Sequence, residues 1–132
     1  MSDPTLFDVE EHVAPTGFDV TVERLKTAIA HAGLMLFATI DHAAGAHDAG
    51  LTMPPATVLI YGHAKGGTPI MLEEPRTALD LPLRVLVRQQ EDGRTVIAFH
   101  PATAMLRRAG VSEELAARLE PAQRLLVQAL AD

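Results

Sequence analysis

Apolar and polar positions along this chain recur with two different periods, and the switches between them mark the elements. Val22, Leu25, Ala28, Ile29 and Ala32 fall at helical spacing, with Asp19 ahead of them as an N-cap and Gly33 behind as a left-handed stop. This spacing predicts a helix over about 20–32. Leu34 to Ile40 is apolar on both alternating sets, a pattern that predicts a strand covered on both faces. Asp41 to Gly50 reads as a loop or a single short helical turn. Pro54-Pro55 then forces extended backbone into a second central strand, Ala56 to Tyr61. After a loop at 62–67, Thr68 is placed to cap a short helix with Pro69 at its first position. Leu83, Val85 and Val87 alternate with Arg84, Leu86 and Arg88, and Asp92-Gly93 signals a two-residue hairpin into a strand from Thr95 to Phe99. Ala102 to Ala109 predicts a short helix stopped by Gly110. Ser112 then caps a C-terminal helix that Pro121 either kinks or restarts. Val9 to Val13 is a weaker strand candidate.

The resulting order, (β)αββ(α)ββαα, contains no repeat and no linker long enough to divide the chain. It predicts one α+β domain over 9–132, a mostly antiparallel sheet packed by helices in a two-layer sandwich. Residues 1–8 form a loose acidic lead-in, and 112–132 add an extra C-terminal helix. The apolar stripe of Ala122, Leu125, Leu126, Ala129 and Leu130 needs a cover, supplied either by the chain's own sheet or by a second copy.

Composition narrows the function classes. With 132 residues and 48% apolar content the chain can bury one core. It has no cysteine, which removes disulfides, thiolate chemistry and Cys-ligated zinc, and which fits a cytoplasmic location. The net charge of −6 is concentrated at the start: Asp3, Asp8, Glu10, Glu11 and Asp19 precede any Lys or Arg, leaving 12 acids against 11 bases in the rest. No basic stripe is available for a phosphate backbone, so nucleic acid is excluded as an expected partner. No apolar run reaches the roughly 18 residues of a membrane span, and the start of the chain lacks the pattern of a signal peptide.

Candidate chemistry gathers at three strand-to-loop switches. Asp41 and His42 end the first apolar strand and offer an acid–base pair. Neighbours in extended backbone point to opposite faces, however, so Asp41 equally well caps the next turn while His42 satisfies backbone groups. His63, Lys65, Gly66, Gly67 and Thr68 form a glycine-rich approach to a helix, whose free amides and lysine could face an anion or simply make a turn. Asp80, inside LDLPL, is a carboxylate among apolar neighbours that needs a hydrogen-bonding partner if it is buried. The six histidines include no metal-ligand spacing: His42 and His47 stand five apart, and Asp41, His42, His47, His63 and His100 could meet only through the fold. No metal and no cofactor is expected.

The ordered motifs IDHAAGA (40–46), GL (50–51), PPATVLIYG (54–62), GTPIM (67–71) and ALDLPLRVLV (78–87) with a following DG resemble the DUF302 family over about 17–111. The resemblance implies a compact α+β domain that pairs as a homodimer, and it supplies no reaction. Where the family pattern has FGNP this chain has Tyr61-Gly62-His63-Ala64. Where it has Asn-Asp-Pro the chain has Phe99-His100-Pro101, so two imidazoles replace small polar side chains. Three readings follow. In the first, a homodimer binds a small anionic ligand in one hollow between the 41–50 and 62–68 loops, using Asp41, His42, His63, Lys65, Gly66, Gly67 and Thr68. In the second, a small enzyme moves protons with His42 and either Asp41 or Asp80. In the third, the loops serve only contacts between chains.

Overall fold

A computed structural model describes residues 8–131 of the chain. The lead-in expected at 1–8 lies outside the described residues except for Asp8. Five strands form one antiparallel sheet: β1 (Glu10–Ala14), β2 (Met35–Asp41), β3 (Ala56–Gly62), β4 (Leu83–Gln89) and β5 (Thr95–Phe99). Their spatial order is β1-β5-β4-β3-β2. The helices are α1 (Phe18–His31), α2 (His42–Asp48), α3 (Ala64–Glu73), α4 (Ala102–Arg108), α5 (Glu113–Ala116) and α6 (Glu120–Ala129), with a 3-10 turn at Pro75–Leu79. The α+β sandwich expected from the element order is the fold observed.

One face of the sheet is covered. Leu59 and Tyr61 of β3, Val85 and Val87 of β4, and Ile97 and Phe99 of β5 meet Leu25 and Ile29 of α1 and Leu126 and Leu130 of α6. These are the alternate residues of each strand, as the two-residue period requires. The stripe on α6 is therefore covered by the chain's own sheet rather than by a second copy. A smaller core of Ile70, Leu106, Val111 and Ala116 joins α3 to α4 and α5. Among the described residues no helix is long and apolar enough to cross a membrane.

Helix ends explain several shifts from expectation. Helix α1 starts at Phe18 with Gly17 in the N-cap position, so Asp19 lies inside the first turn, where its charge suits the helix dipole. At the other end Gly33 takes φ +75°, and the Leu34 N–H reaches back to Ile29 O at 3.1 Å, closing orphan carbonyls. Pro121 restarts the chain as α6 rather than kinking one long helix. The β4–β5 hairpin forms with a longer loop than the two residues expected. The Gly93 N–H donates to Gln90 O and the Gln90 N–H to Arg94 O, a turn plus a glycine bulge.

Two polar clamps fix α6. Buried Gln123 accepts the Ala102 N–H through Oε1 and donates from Nε2 to His100 O, both at 2.9 Å, which orders the start of α4. The Tyr61 hydroxyl donates to Ala122 O at 3.2 Å, and burial pushes its pKa far above the ordinary phenol value.

The largest correction concerns β2, expected to be central and covered on both faces. Among the described residues it is an edge strand, paired with β3 alone, and Met35, Phe37 and Ile40 are 55%, 49% and 42% exposed. A register shift between Leu36 and Ala38 inserts Phe37 as an extra residue. The centre of the sheet is thus β4, flanked by β5 and β3.

Candidate functional site

The β2–β3 register decides what the two candidate loops can share. Met35 pairs with Gly62, and Asp41 pairs with Thr57. Asp41 and His42 therefore leave one end of the hairpin while His63 to Thr68 leave the other, roughly 20 Å apart at about 3.3 Å per residue. A single hollow between the two loops of one chain, as the sequence suggested, is not what the fold builds.

At the first end, Asp41 acts as a cap. Its carboxylate accepts the Ala44 N–H at 2.9 Å, and α2 is a full helix rather than a loop, with Gly50 at φ +79° beyond its end. His42 is the first residue of that helix and is exposed. Among the described residues no hydrogen bond joins Asp41 to His42, so the pair lacks the contact that general acid–base work between them needs. No residue of α2 is buried.

At the second end, the helix begins five residues earlier than a Thr68 cap predicts. His63 is the N-cap: its Nδ1 accepts the Lys65 N–H at 3.0 Å. A neutral His63 then carries its proton on Nε2, which is left as a donor. The amides of Gly66 and Gly67 both donate to His63 O, at 3.0 and 3.1 Å, so they are engaged in the helix and do not form an anion cradle. Thr68 and Pro69 lie inside α3, and Pro69 removes the helical donor to the Lys65 carbonyl. The glycines have a packing reason instead. A Cβ on Gly66 would meet Leu119 at 3.3 Å, so its absence lets α3 lie close to the α5–α6 connection.

That close approach frames a cavity of ≈ 540 Å³. His63, Gly66, Gly67 and Thr68 line it from α3, and Leu81 to Leu83, across the cis Leu81–Pro82 peptide, line it from the segment before β4. Leu34 and Phe37 close it on the β2 side, and Arg118, Leu119 and Leu125 on the side of α5 and α6. The wall is mostly hydrocarbon, with His63, Thr68 and Arg118 as its polar groups. Lys65 is exposed at the second position of α3, outside the lining. The sequence located the α3 half through its glycines but missed Phe37, Met71, Arg118 and Leu119. The arginine sits in a segment that the resemblance left out, and nothing in local spacing links it to His63.

Asp80 is exposed, so the partner that a buried carboxylate would need is not required; it ends the 3-10 turn with its own N–H bonded to Thr77 O. It borders a second hollow of ≈ 400 Å³ with Arg84, Leu86 and His100. Neither Asp41, His42 nor Asp80 lines the larger cavity. Among the described residues no three His, Asp or Glu side chains gather where a metal could be held.

Charged groups outside the cavity tie elements together. Burial raises the Glu10 carboxyl pKa, but hydrogen bonds from Arg124 and His12, each at 2.6 Å, and their charges outweigh this and bring it below the usual value of 4.5. Arg124 also lies over the Phe99 ring, 5.6 Å from its centre.

Comparison with known proteins agrees with this geometry at the level of fold. A crystal structure of an uncharacterized conserved DUF302 protein from Bacillus stearothermophilus superposes with a TM-score of 0.80, covering 94% of this chain and 96% of that one at 18% identity. Among curated proteins, the fluoride-specific ion channel FluC 1 of Brucella suis is 32% identical over 98 residues, which make up 73% of this chain and 39% of that protein. Fluoride-specific ion channel FluC 2 of Brucella melitensis matches at the same identity, over 36% of its length. The chain thus spans well under half of these relatives. The family model described as domain of unknown function DUF302 matches residues 10–132, taking in the C-terminal helices that the motifs alone had left outside, and the chain belongs to that family.

Proposed function

We propose that this chain is a small-ligand-binding domain that works as a homodimer and takes an amphipathic molecule. The apolar body would rest against Met71, Leu119 and Leu125, with an anionic end toward His63, Thr68 and Arg118. The observation that carries this reading is the ≈ 540 Å³ cavity, which falls in the roughly 300–1,000 Å³ range of small-molecule clefts. Arg118 brings a permanent charge, His63 a donor at Nε2, and Thr68 a hydroxyl. Lys65 adds positive charge at the start of α3, where the helix dipole also favours an anion. The homodimer is supported by the apolar surface that β2 leaves open.

The test is a fluorescence titration with 1-anilinonaphthalene-8-sulfonate, an aromatic body carrying one sulfonate. Saturable binding at one site per chain is expected. Gly67→Leu should weaken it about tenfold, equivalent to ~1.4 kcal/mol. A Cβ at Gly67 has ordinary clearance, 3.7 Å from Met71 and 3.8 Å from Leu81, so the fold accepts the change while the longer side chain fills the cavity. Absent or non-saturable binding, or binding indifferent to Gly67→Leu, overturns the reading.

A second reading draws on the relatives named fluoride-specific ion channels. In it the domain serves beside an ion channel and its anion is fluoride. A small, strongly hydrated ion needs several donors converging on it, and a mostly hydrocarbon wall suits it less than a larger molecule. A fluorine-19 NMR titration distinguishes the two: fluoride broadening that Arg118→Ala abolishes supports the channel-linked reading, and an unperturbed signal removes it.

A further inference from the structure

The two edges of the sheet are built differently. Edge β1 carries Glu10, Glu11 and His12, with Glu10 held by Arg124 and Glu11 paired to Arg88. Such charge blunts an edge against further strands. Edge β2, MLFATID, holds no charge until Asp41 and carries no proline, and the connection after α2 adds exposed Leu51 and Met53. Its ends differ in sign. Asp41 and Asp48 lie at one end with His42 and His47, while Lys65 lies at the other with His31 and His63, where α1 ends and α3 begins. With neutral imidazoles the first end is acidic and the second basic.

We infer that a second copy of this chain adds its β2 antiparallel to the first, so that each copy's His42, held at the start of α2 by the Asp41 cap, completes the mouth of the other copy's cavity. The inference rests on reading that cavity as a ligand site. A two-fold pairing of identical strands is antiparallel and self-complementary. Centred near Ala38, it sets Asp41 of one copy opposite Met35 of the other, beside the partner copy's Gly62 and the His63 that follows it. The carboxylates of Asp41 and Asp48 then face the partner copy's Lys65 end twice over, a charge match that an arbitrary partner strand would not bring. The distance that separates Asp41 from Gly62 within one chain becomes the reach that joins them across two. Phe37 is the joint: half-exposed on the edge strand, it also lines the cavity. Burying it against a partner would close the β2 wall and bring His42 to a rim that already holds His63.

Cross-linking tests the docking directly, because the chain has no cysteine. Met35→Cys and Asp41→Cys, each made alone and then mixed under mild oxidation, should give a covalent heterodimer. Directly opposed strand residues have Cβ atoms about 4.5–5.5 Å apart, close to disulfide reach. Sedimentation should show a dimer that Ile40→Lys converts to a folded monomer. In the naphthalene sulfonate titration, His42→Ala should weaken binding by the dimer about tenfold and leave the Ile40→Lys monomer's weaker binding unchanged. A chain that stays monomeric at all concentrations, or a dimer in which the mixed pair does not cross-link, overturns the inference. A cross-linked dimer whose binding ignores His42→Ala overturns the composite site while leaving the cavity reading intact. No saturable binding by the unmodified chain overturns both.

Discussion

Strands β2 and β3 are neighbours, seven residues each, and nearly equal in apolar content, yet one is core and the other surface. Strand β3 lies between β2 and β4 and turns Leu59 and Tyr61 into the helices α1 and α6. Among the described residues strand β2 has a neighbour on one side only, and most of its side chains stay exposed. The difference teaches that side-chain chemistry selects extended structure, whereas position in the sheet decides how much water is excluded. A strand with core composition at an edge marks a surface suited to burial against something else.

The sharpest way to break this comparison is to truncate one residue in each strand. Leu59→Ala should lose about 2–5 kcal/mol in urea unfolding at every protein concentration, since it leaves a fully buried void. Ile40→Ser should stay within about 0.5 kcal/mol in dilute solution and show a deficit only where copies associate. Equal losses would remove the distinction. A smaller effect comes from the helix layer that protects β3. Gln123→Leu strands the Ala102 N–H and His100 O, and chemical denaturation should register about 1–3 kcal/mol. Smaller again is Tyr61→Phe, which takes the donor from Ala122 O and should lower stability by roughly 1 kcal/mol in the same assay.

The smallest effect sharpens the contrast between the two edges. Glu10 holds its proton less tightly in the folded chain than its ordinary value of 4.5, so its bond to Arg124 contributes stability above that pH. The contribution fades as pH falls through the lower folded value, and Glu10→Gln should flatten this part of a melting-temperature profile by less than about 1 kcal/mol. No comparable dependence is expected from the uncharged stretch of β2.

Much of the fold was legible because local rules and tertiary packing agree: Val22, Leu25 and Ile29 bury as their spacing predicts, Gly33 ends α1, and Pro121 opens α6. Where they disagree, the sequence misled. Gly66 and Gly67 look like a loop, but the His63 cap, five residues ahead of the expected Thr68 cap, draws both into a helix. Asp80 looks buried among leucines that turn elsewhere. The exposure of Phe37 was illegible because apolarity on both sets of a strand describes a covered centre and an unoccupied edge equally well. The cavity was legible only by halves, since Arg118 meets α3 through packing that no spacing encodes.

Tyr61 gives the molecule a built-in optical gauge. The chain has one tyrosine and no tryptophan, and that tyrosine is bonded to Ala122, which with Gly62 belongs to the cavity wall. Ultraviolet emission therefore comes from a single phenol, and whatever shifts α6 against β3 changes it without a dye or a label. Because burial raises the phenol's pKa, phenolate absorbance in alkali is expected to follow the opening of the chain. A movement of α6 against β3 and a loss of structure should thus be read from one side chain in two separate signals.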